Sequence, residues 1–257
     1  MNHLYYFFRG VSDNAVYDSY SPTHIILLIL TAVISLYIYF NRETLRKPSA
    51  DKKLKIFFIV SLLTQQVMLY SWYVFSGYFK ITESLPLYHC RVAIICTIIG
   101  LITNRSIFRS IGCMWGSVGA VIALIIPNPD PFLFPHFTLL SYFAGHMILL
   151  WANMYVLFVQ EFTLQKKELL KTLVITNVFH LFVLGFDMLT DANYCYLISA
   201  PFNWAIFNDP IVKMIYTPAI FVLFSLAIII FYALTNIRQA THQRVSLHQI
   251  KSYNKYK

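Results

Sequence analysis

Seven stretches of this chain are apolar for about as long as a helix needs to cross a lipid bilayer, and no other feature narrows its fold so far. A span needs about 20 mostly apolar residues to cross ~30 Å of hydrocarbon. The segments that qualify are 23–40, 54–79, 86–103, 111–126, 137–159, 172–189 and 211–237. They predict an all-α polytopic membrane protein, a seven-helix transmembrane bundle in which residues 1–257 form a single domain. Charge agrees with that reading: only 12% of residues are charged, against about 25% in a soluble domain. Residues 1–22 carry Asp13, Asn14, Asp18 and Pro22 ahead of the first apolar run, so the N-terminus does not read as a signal peptide.

Basic residues set the expected direction. All but four of the 20 lysines and arginines fall in segments 41–55, 104–110, 160–171 and 238–257; the exceptions are Arg9, Lys80, Arg91 and Lys213. Short basic loops mark the cytoplasmic side. The N-terminus is therefore expected outside and the C-terminus in the cytoplasm, in a multi-pass protein of the cell membrane. Because the net charge of +9 is spread over these loops, nucleic acid is not an expected partner and membrane lipids are. The fourth span places Gly116, Gly119, Ala120 and Ala123 at helical spacing, which favours close helix contact. Pro218 is expected to kink the seventh.

Two outer loops stand out. "PNPDPFLFPHF" (127–137) holds four prolines and cannot be regular helix. "TDANYCYLISAPFNWAIFNDP" (190–210) is long and aromatic. It reads either as a lid or as an ordinary interfacial loop anchored by Tyr194, Tyr196 and Trp204.

Polar groups within the spans are the informative ones, since polar side chains in hydrocarbon must find partners or water. His146 lies ~14 Å along the fifth helix from Phe137, and Gln65 and Gln66 lie ~15 Å past Lys55, at a rise of 1.5 Å per residue. His180 falls at a similar depth. Tyr142, His146 and Asn153 share one stripe of the fifth span, and Asn177, His180 and Asp187 share one of the sixth, with Asp187 near its outer, hydrated end. One reading makes these groups interhelical glue; the other makes them a functional site.

The stretch "ITESLPLYHCRVAIICTIIG" adds a thiol at the start of the third span, Cys90, flanked by His89 and Arg91. A cysteine attacks a carbonyl as thiolate and needs a base or a positive charge beside it. Neighbours in a helix point about 100° apart, so His146 on another span is the better-placed base if the third and fifth spans touch. Cys96 and Cys113 read as small buried hydrophobes. Cys90 and Cys195 both fall toward the outer side, and the sequence leaves a disulfide between them open. No CxxC pair and no metal, nicotinamide or ATP motif is present, so no cofactor is expected.

"LPLYHC" resembles the "LPLHLC"-type signature of the YwaF-like bacterial integral membrane proteins. The likeness continues through "NPDPFLFPHFTLLSYFAGHMILLWANMY" and "NYCYL". It departs at one point, placing His89 directly before Cys90 and Tyr88 where that family has histidine. The family is distantly similar to eukaryotic multi-span acyltransferases that act on ether lysophospholipids through a cysteine near the start of one helix and a histidine on a later one. The resemblance implies that Cys90 and His146 are catalytic. His146 would take the thiol proton, and a thioester with a lipid acyl chain would form and pass to a lysolipid or water. Gln65, Asn177, His180 and His89 are the candidates for substrate binding or for donating to the oxyanion, where one good donor contributes ~3 kcal/mol. A non-enzymatic carrier or scaffold with a polar midplane cavity is the alternative. That reading predicts dependence on His146 and His180 but tolerance of Cys90→Ser.

Overall fold

A computed structural model describes residues 2–14, 16–201 and 204–255, with side chains for 4–14, 16–201 and 204–237. The basic side chains of the expected cytoplasmic tail (Arg238, Arg244, Lys251, Lys255 and Lys257) lie outside the described residues. All regular structure among the described residues is helical. Six helices are long and apolar enough to cross a membrane: α1 (Pro22–Phe40), α2 (Pro48–Phe75), α4 (Ser106–Ile125), α5 (Phe137–Val159), α6 (Lys166–Thr190) and α7 (Pro210–Lys255, apolar as far as Ile237). Between α2 and α4 lies α3 (His89–Thr103), an apolar helix of 15 residues. Its length of about 22 Å at 1.5 Å per residue falls short of ~30 Å of hydrocarbon.

The helices start and stop where local chemistry dictates. Ser21 caps α1 by accepting from the His24 N–H, with Pro22 in the first turn. His136 caps α5 by accepting from the Thr138 N–H. Asn104 and Asp191 end α3 and α6 in the left-handed region, at φ 58° and 55°, a conformation that short polar residues tolerate. Several helices begin earlier than the apolar runs. Pro48 opens α2 ahead of its lysines, and Lys166 opens α6, because a helix can continue past the hydrocarbon with its charged residues in water. The third instead begins later than the apolar run that opens at Pro86, at His89.

Two helices form the centre. In α4 and α5, 61% and 56% of the apolar stretch is buried, against 17% in α1 and 6% in α7. α5 contacts α1, α2, α3 and α4, while α6 packs on α4 and α7 on α6. Lipid is as apolar as a leucine side chain, so close packing and hydrogen bonds hold such helices together. Both operate here. A Cβ on Gly116 would stand 2.4 Å from Asn153 Nδ2, and one on Gly119 would stand 2.7 Å from Cys90 Sγ. Glycine at these positions lets α4 sit directly against α5 and α3. Trp115 Nε1 donates to Thr176 Oγ1 at 2.8 Å, and Tyr155 OH donates to Asp51 Oδ1 at 2.6 Å. Interhelical bonds of this kind average about 0.6 kcal/mol each.

At one end of the bundle the loops fold inward. The proline-rich loop holds the N-terminal segment: Arg9 pairs with Asp13 and donates to Leu133 O, Asp13 accepts the Leu133 N–H at 2.7 Å, and His136 Nε2 donates to Arg9 O at 3.0 Å. Arg9 holds the Asp13 carboxyl below its ordinary value of 3.8, and burial holds His136 below its ordinary 6.5. Both shifts give stability that is complete at neutral pH. The His136 share falls as the pH drops below 6.5, because the unfolded chain then takes up a proton the folded one resists. The Asp13 share disappears as the pH falls from 3.8 through the lower folded value. Protection of residues 4–14 from hydrogen exchange, taken relative to intrinsic amide exchange at each pH, is expected to fall in two stages over this range; protection that is flat with pH would contradict the clamp.

Asp187, expected near water, is fully buried, and neither of its carboxylate oxygens has a hydrogen-bond partner among the described residues. The chain after Asp191 turns back over the end of α6 and seats Tyr194, also fully buried, beside it. The possible disulfide is absent: Cys90 and Cys195 are free thiols, and Cys195 Sγ donates to Leu87 O at 3.0 Å.

Candidate functional site

The infolded loops roof a cavity of about 1580 Å³, larger than the 300–1,000 Å³ usual for small-molecule sites (about 1,000 Å³ at the upper end). Its walls come from α2, α3, α4, α5 and α7 and from the loops after α2, α4 and α6. Of the six candidate residues, Gln65, His89, Cys90 and His146 line it, whereas Asn177 and His180 do not.

Cys90 stands in the first turn of α3, with its sulfur against the bare backbone of Gly119. It makes no side-chain hydrogen bond among the described residues. His146 faces the same cavity from α5. Its Nδ1 lies 2.7 Å from the carbonyl oxygen of Tyr142, one turn earlier. A carbonyl only accepts, so Nδ1 carries the hydrogen and Nε2 is left with a lone pair. That nitrogen has no partner among the described residues. The helix thus fixes the tautomer a general base requires, although thiol and imidazole share no direct hydrogen bond.

His89 and His180 form a buried pair, Nε2 to Nε2 at 2.7 Å. One imidazole donates to the other, and His180 Nδ1 remains unpartnered. His89 stacks on Phe224 at 3.9 Å and meets the edge of Trp115 at 5.1 Å between ring centroids. It therefore presents an edge to the cavity while His180 backs it. Asn177 turns the other way, donating to Leu173 O at 2.9 Å with Ser225 Oγ at 3.4 Å on α7. It is an interhelical contact, not a cavity group.

Gln65 is held at both ends: it accepts from Gln66 Nε2 at 2.6 Å and donates to Ser141 Oγ at 2.9 Å. Its amide donor is engaged, and the hydroxyl hydrogen of Ser141 is the one left for a ligand. Ser141 lines the cavity, five residues before His146 on the same helix, and sequence reading passed over it because serine in a membrane helix is common.

The roof is tied together by Arg91. It donates to Glu83 O and Leu85 O, at 3.0 and 2.9 Å, and to Tyr73 OH at 2.8 Å. Tyr73 in turn reaches the Asp130 carboxylate at 3.3 Å. Burial pushes the Asp130 carboxyl up, opposed by Arg91 and Tyr73. Asn128 adds bonds from the proline-rich loop, to Tyr196 OH through its side chain at 2.8 Å and to Tyr142 OH through its backbone N–H at 3.1 Å. Tyr194 OH donates to Ile81 O and accepts from the Leu85 N–H. The long aromatic loop is therefore built into the cavity wall by tyrosines. One of the two readings of the sequence made Tyr194, Tyr196 and Trp204 anchors of an interfacial loop; it had no means of finding the partners that Tyr194 and Tyr196 have in the cavity wall.

No curated protein and no solved structure matches the chain. The model of the TMEM164 family matches residues 19–236. That match runs from before α1 to Asn236 within α7, and the chain belongs to the TMEM164 family, a membrane protein family.

Proposed function

We propose that this chain is a YwaF-type protein of the cell membrane with seven crossings, its N-terminus outside and its C-terminus cytoplasmic, and that it transfers acyl chains of membrane lipids through a thioester on Cys90. The observation that carries the reading is the shared cavity: the Cys90 thiol and the unprotonated Nε2 of His146 face one space. The short α3 supports the topology, because a helix of 15 residues beginning beneath a folded roof can place its first turn inside the membrane and still be reached by water.

His146 Nε2 takes the proton of Cys90, through a water or a substrate hydroxyl that spans the gap between them. The thiolate attacks the ester carbonyl of a lipid. The carbon–oxygen ester bond breaks, the acyl chain stays on sulfur, and the departing alkoxide takes the proton back from His146. A lysolipid hydroxyl or a water then loses its proton to His146 and attacks the thioester, and the thiolate leaves and is reprotonated. Ser141, and His89 at its cavity edge, are the groups placed to donate to the developing oxyanion.

The buried His89–His180 pair favours the second reading, a proton-coupled carrier, which uses the same cavity without chemistry at sulfur. Membranes containing the protein, supplied with a phospholipid bearing an alkyne-tagged acyl chain, separate the two. Acyl transfer predicts a hydroxylamine-labile adduct on Cys90 that vanishes in Cys90→Ala. A wild-type protein without adduct, and a lipid profile identical to that of Cys90→Ala, would leave only the carrier.

A further inference from the structure

On the flank formed by α4 and α7, residues that line the cavity are themselves exposed. Helix α7 is anchored to the bundle deep in its span: Ile228 is fully buried and Phe224 stacks on His89. Between Pro210 and Ala227 none of the described residues of α7 is buried. Over this stretch Val212, Ile215, Ala219, Leu223 and Ala227 fall on one side of the helix and line the cavity. Across the cavity are Gly119, Ile122 and Ala123 of α4, with Ile126 just past its end. α7 is a peripheral helix and α4 a central one, yet cavity-lining residues on both are open on this flank: Ile122 is 49% exposed, Ile215 47% and Leu223 60%. α7 touches α4, and the burial of α7 falls away from Ile228 toward the loop-rich end.

From this geometry we propose that the gap between α4 and α7 is a lateral portal through which a lipid acyl chain passes from the bilayer, its ester group at Cys90 and its tail leaving between the two helices. Three features fit that occupant. The stripe is apolar apart from Tyr216, whose hydroxyl is taken up by Tyr196 O. From Val212 to Ala227 it runs about 22 Å at 1.5 Å per residue, so the flank offers an apolar wall through the depth of a leaflet whose half-thickness is ~15 Å. It also ends at the thiol, because Gly119 at the inner end of the α4 wall is the residue that touches Cys90 Sγ. Ala219 and Gly119 keep the passage open on either side, so the portal's width is set by residues with little or no side chain. The proposal deepens the acyl-transfer reading and rests on it for the identity of the occupant, but its test reads access to the thiol and not turnover.

The test uses full-length protein in phosphatidylcholine nanodiscs with Cys195→Ser, so that labelling of Cys90 is followed by peptide mass without interference from the other thiol in the cavity wall. Two reagents are compared: a maleimide carrying a long alkyl tail, which dissolves in the bilayer, and a small charged methanethiosulfonate, which comes from water. Ala219→Trp should slow the tailed reagent by about tenfold or more, the scale on which a filled apolar site discriminates, and leave the charged one nearly unchanged. The milder Ala219→Leu should shift the tailed reagent in the same direction. Val222→Trp, next to the stripe but outside the cavity lining and 57% exposed, should change neither. Equal slowing of both reagents, or no slowing of the tailed one, would overturn the portal. So would a change of oligomeric size in Ala219→Trp with both rates intact, which would assign this flank to a second copy of the chain.

Discussion

Replacing His146 with alanine is expected to slow acyl transfer by a factor of about 10²–10⁴, the usual contribution of a positioned general base, and to leave the bundle folded. The reason lies in how the imidazole is held. Its one hydrogen bond goes to a carbonyl of its own helix, Tyr142 O. Losing it removes about 1 kcal/mol and breaks no link between helices. A histidine acting as interhelical glue would instead engage a neighbouring helix, as Asn153 does by accepting from Thr97 Oγ1 at 3.2 Å. His146→Gln sharpens the test, because an amide can still donate to Tyr142 O but offers no basic nitrogen. Both variants should lose turnover, and both should slow alkylation of Cys90 by iodoacetamide at neutral pH, since the base that activates sulfur is gone. Thermal unfolding in detergent should move little. Turnover within tenfold of wild type, or loss of activity only in step with loss of fold, would remove His146 from the chemistry.

The sequence made some of this site legible and hid the rest for physical reasons. Hydropathy located the six helices long enough to cross, because burial in lipid demands continuous apolar length whatever the helices pack against; the segment 86–103, read as a further span, forms a helix of only 15 residues. Depth arithmetic placed His146 and Gln65 at one level, and both line the cavity. The same arithmetic could not say which way a side chain turns. Asn177 and His180 are three residues apart and about 60° apart around a helix, enough to send one toward α7 and the other toward His89. The His89–His180 bond joins residues 91 apart in sequence, and no periodicity within one helix reports on that. Asp187 was placed in water by its position near a helix end, yet the following loop covers it. The loops were the least legible part. Their fold depends on tyrosine hydroxyls reaching backbone groups more than 100 residues away, as Tyr194 does at Ile81 and Leu85.

Arg91 should matter to stability more than any other residue of the roof. Arg91→Ala leaves Glu83 O, Leu85 O and Tyr73 OH without their donor. Hydrogen bonds from a charged group contribute about 1.5–3 kcal/mol each. They share one side chain and part of their loss is repaired by water, so about 3 kcal/mol in total is the expected cost. Arg91→Lys should recover only part of it. A single ammonium on a flexible stem cannot hold two carbonyls and a phenol in the fixed fork of a guanidinium. Tyr73→Phe should cost about 1 kcal/mol in the wild-type background and much less in Arg91→Ala, where its hydroxyl has already lost that donor. Unfolding in detergent, read as a double-mutant cycle, measures the coupling directly. If Arg91→Ala unfolds with wild type, or if Tyr73→Phe costs the same in both backgrounds, the guanidinium is not what holds the roof. The consequence for chemistry follows from adjacency. Arg91 is the residue after Cys90, and the bonds that fix its side chain to the loop fix the first turn of α3. A roof that loosens there should lower the rate of thioester formation and raise the labelling of Cys90 by small charged reagents, whereas loss of the base at His146 lowers both.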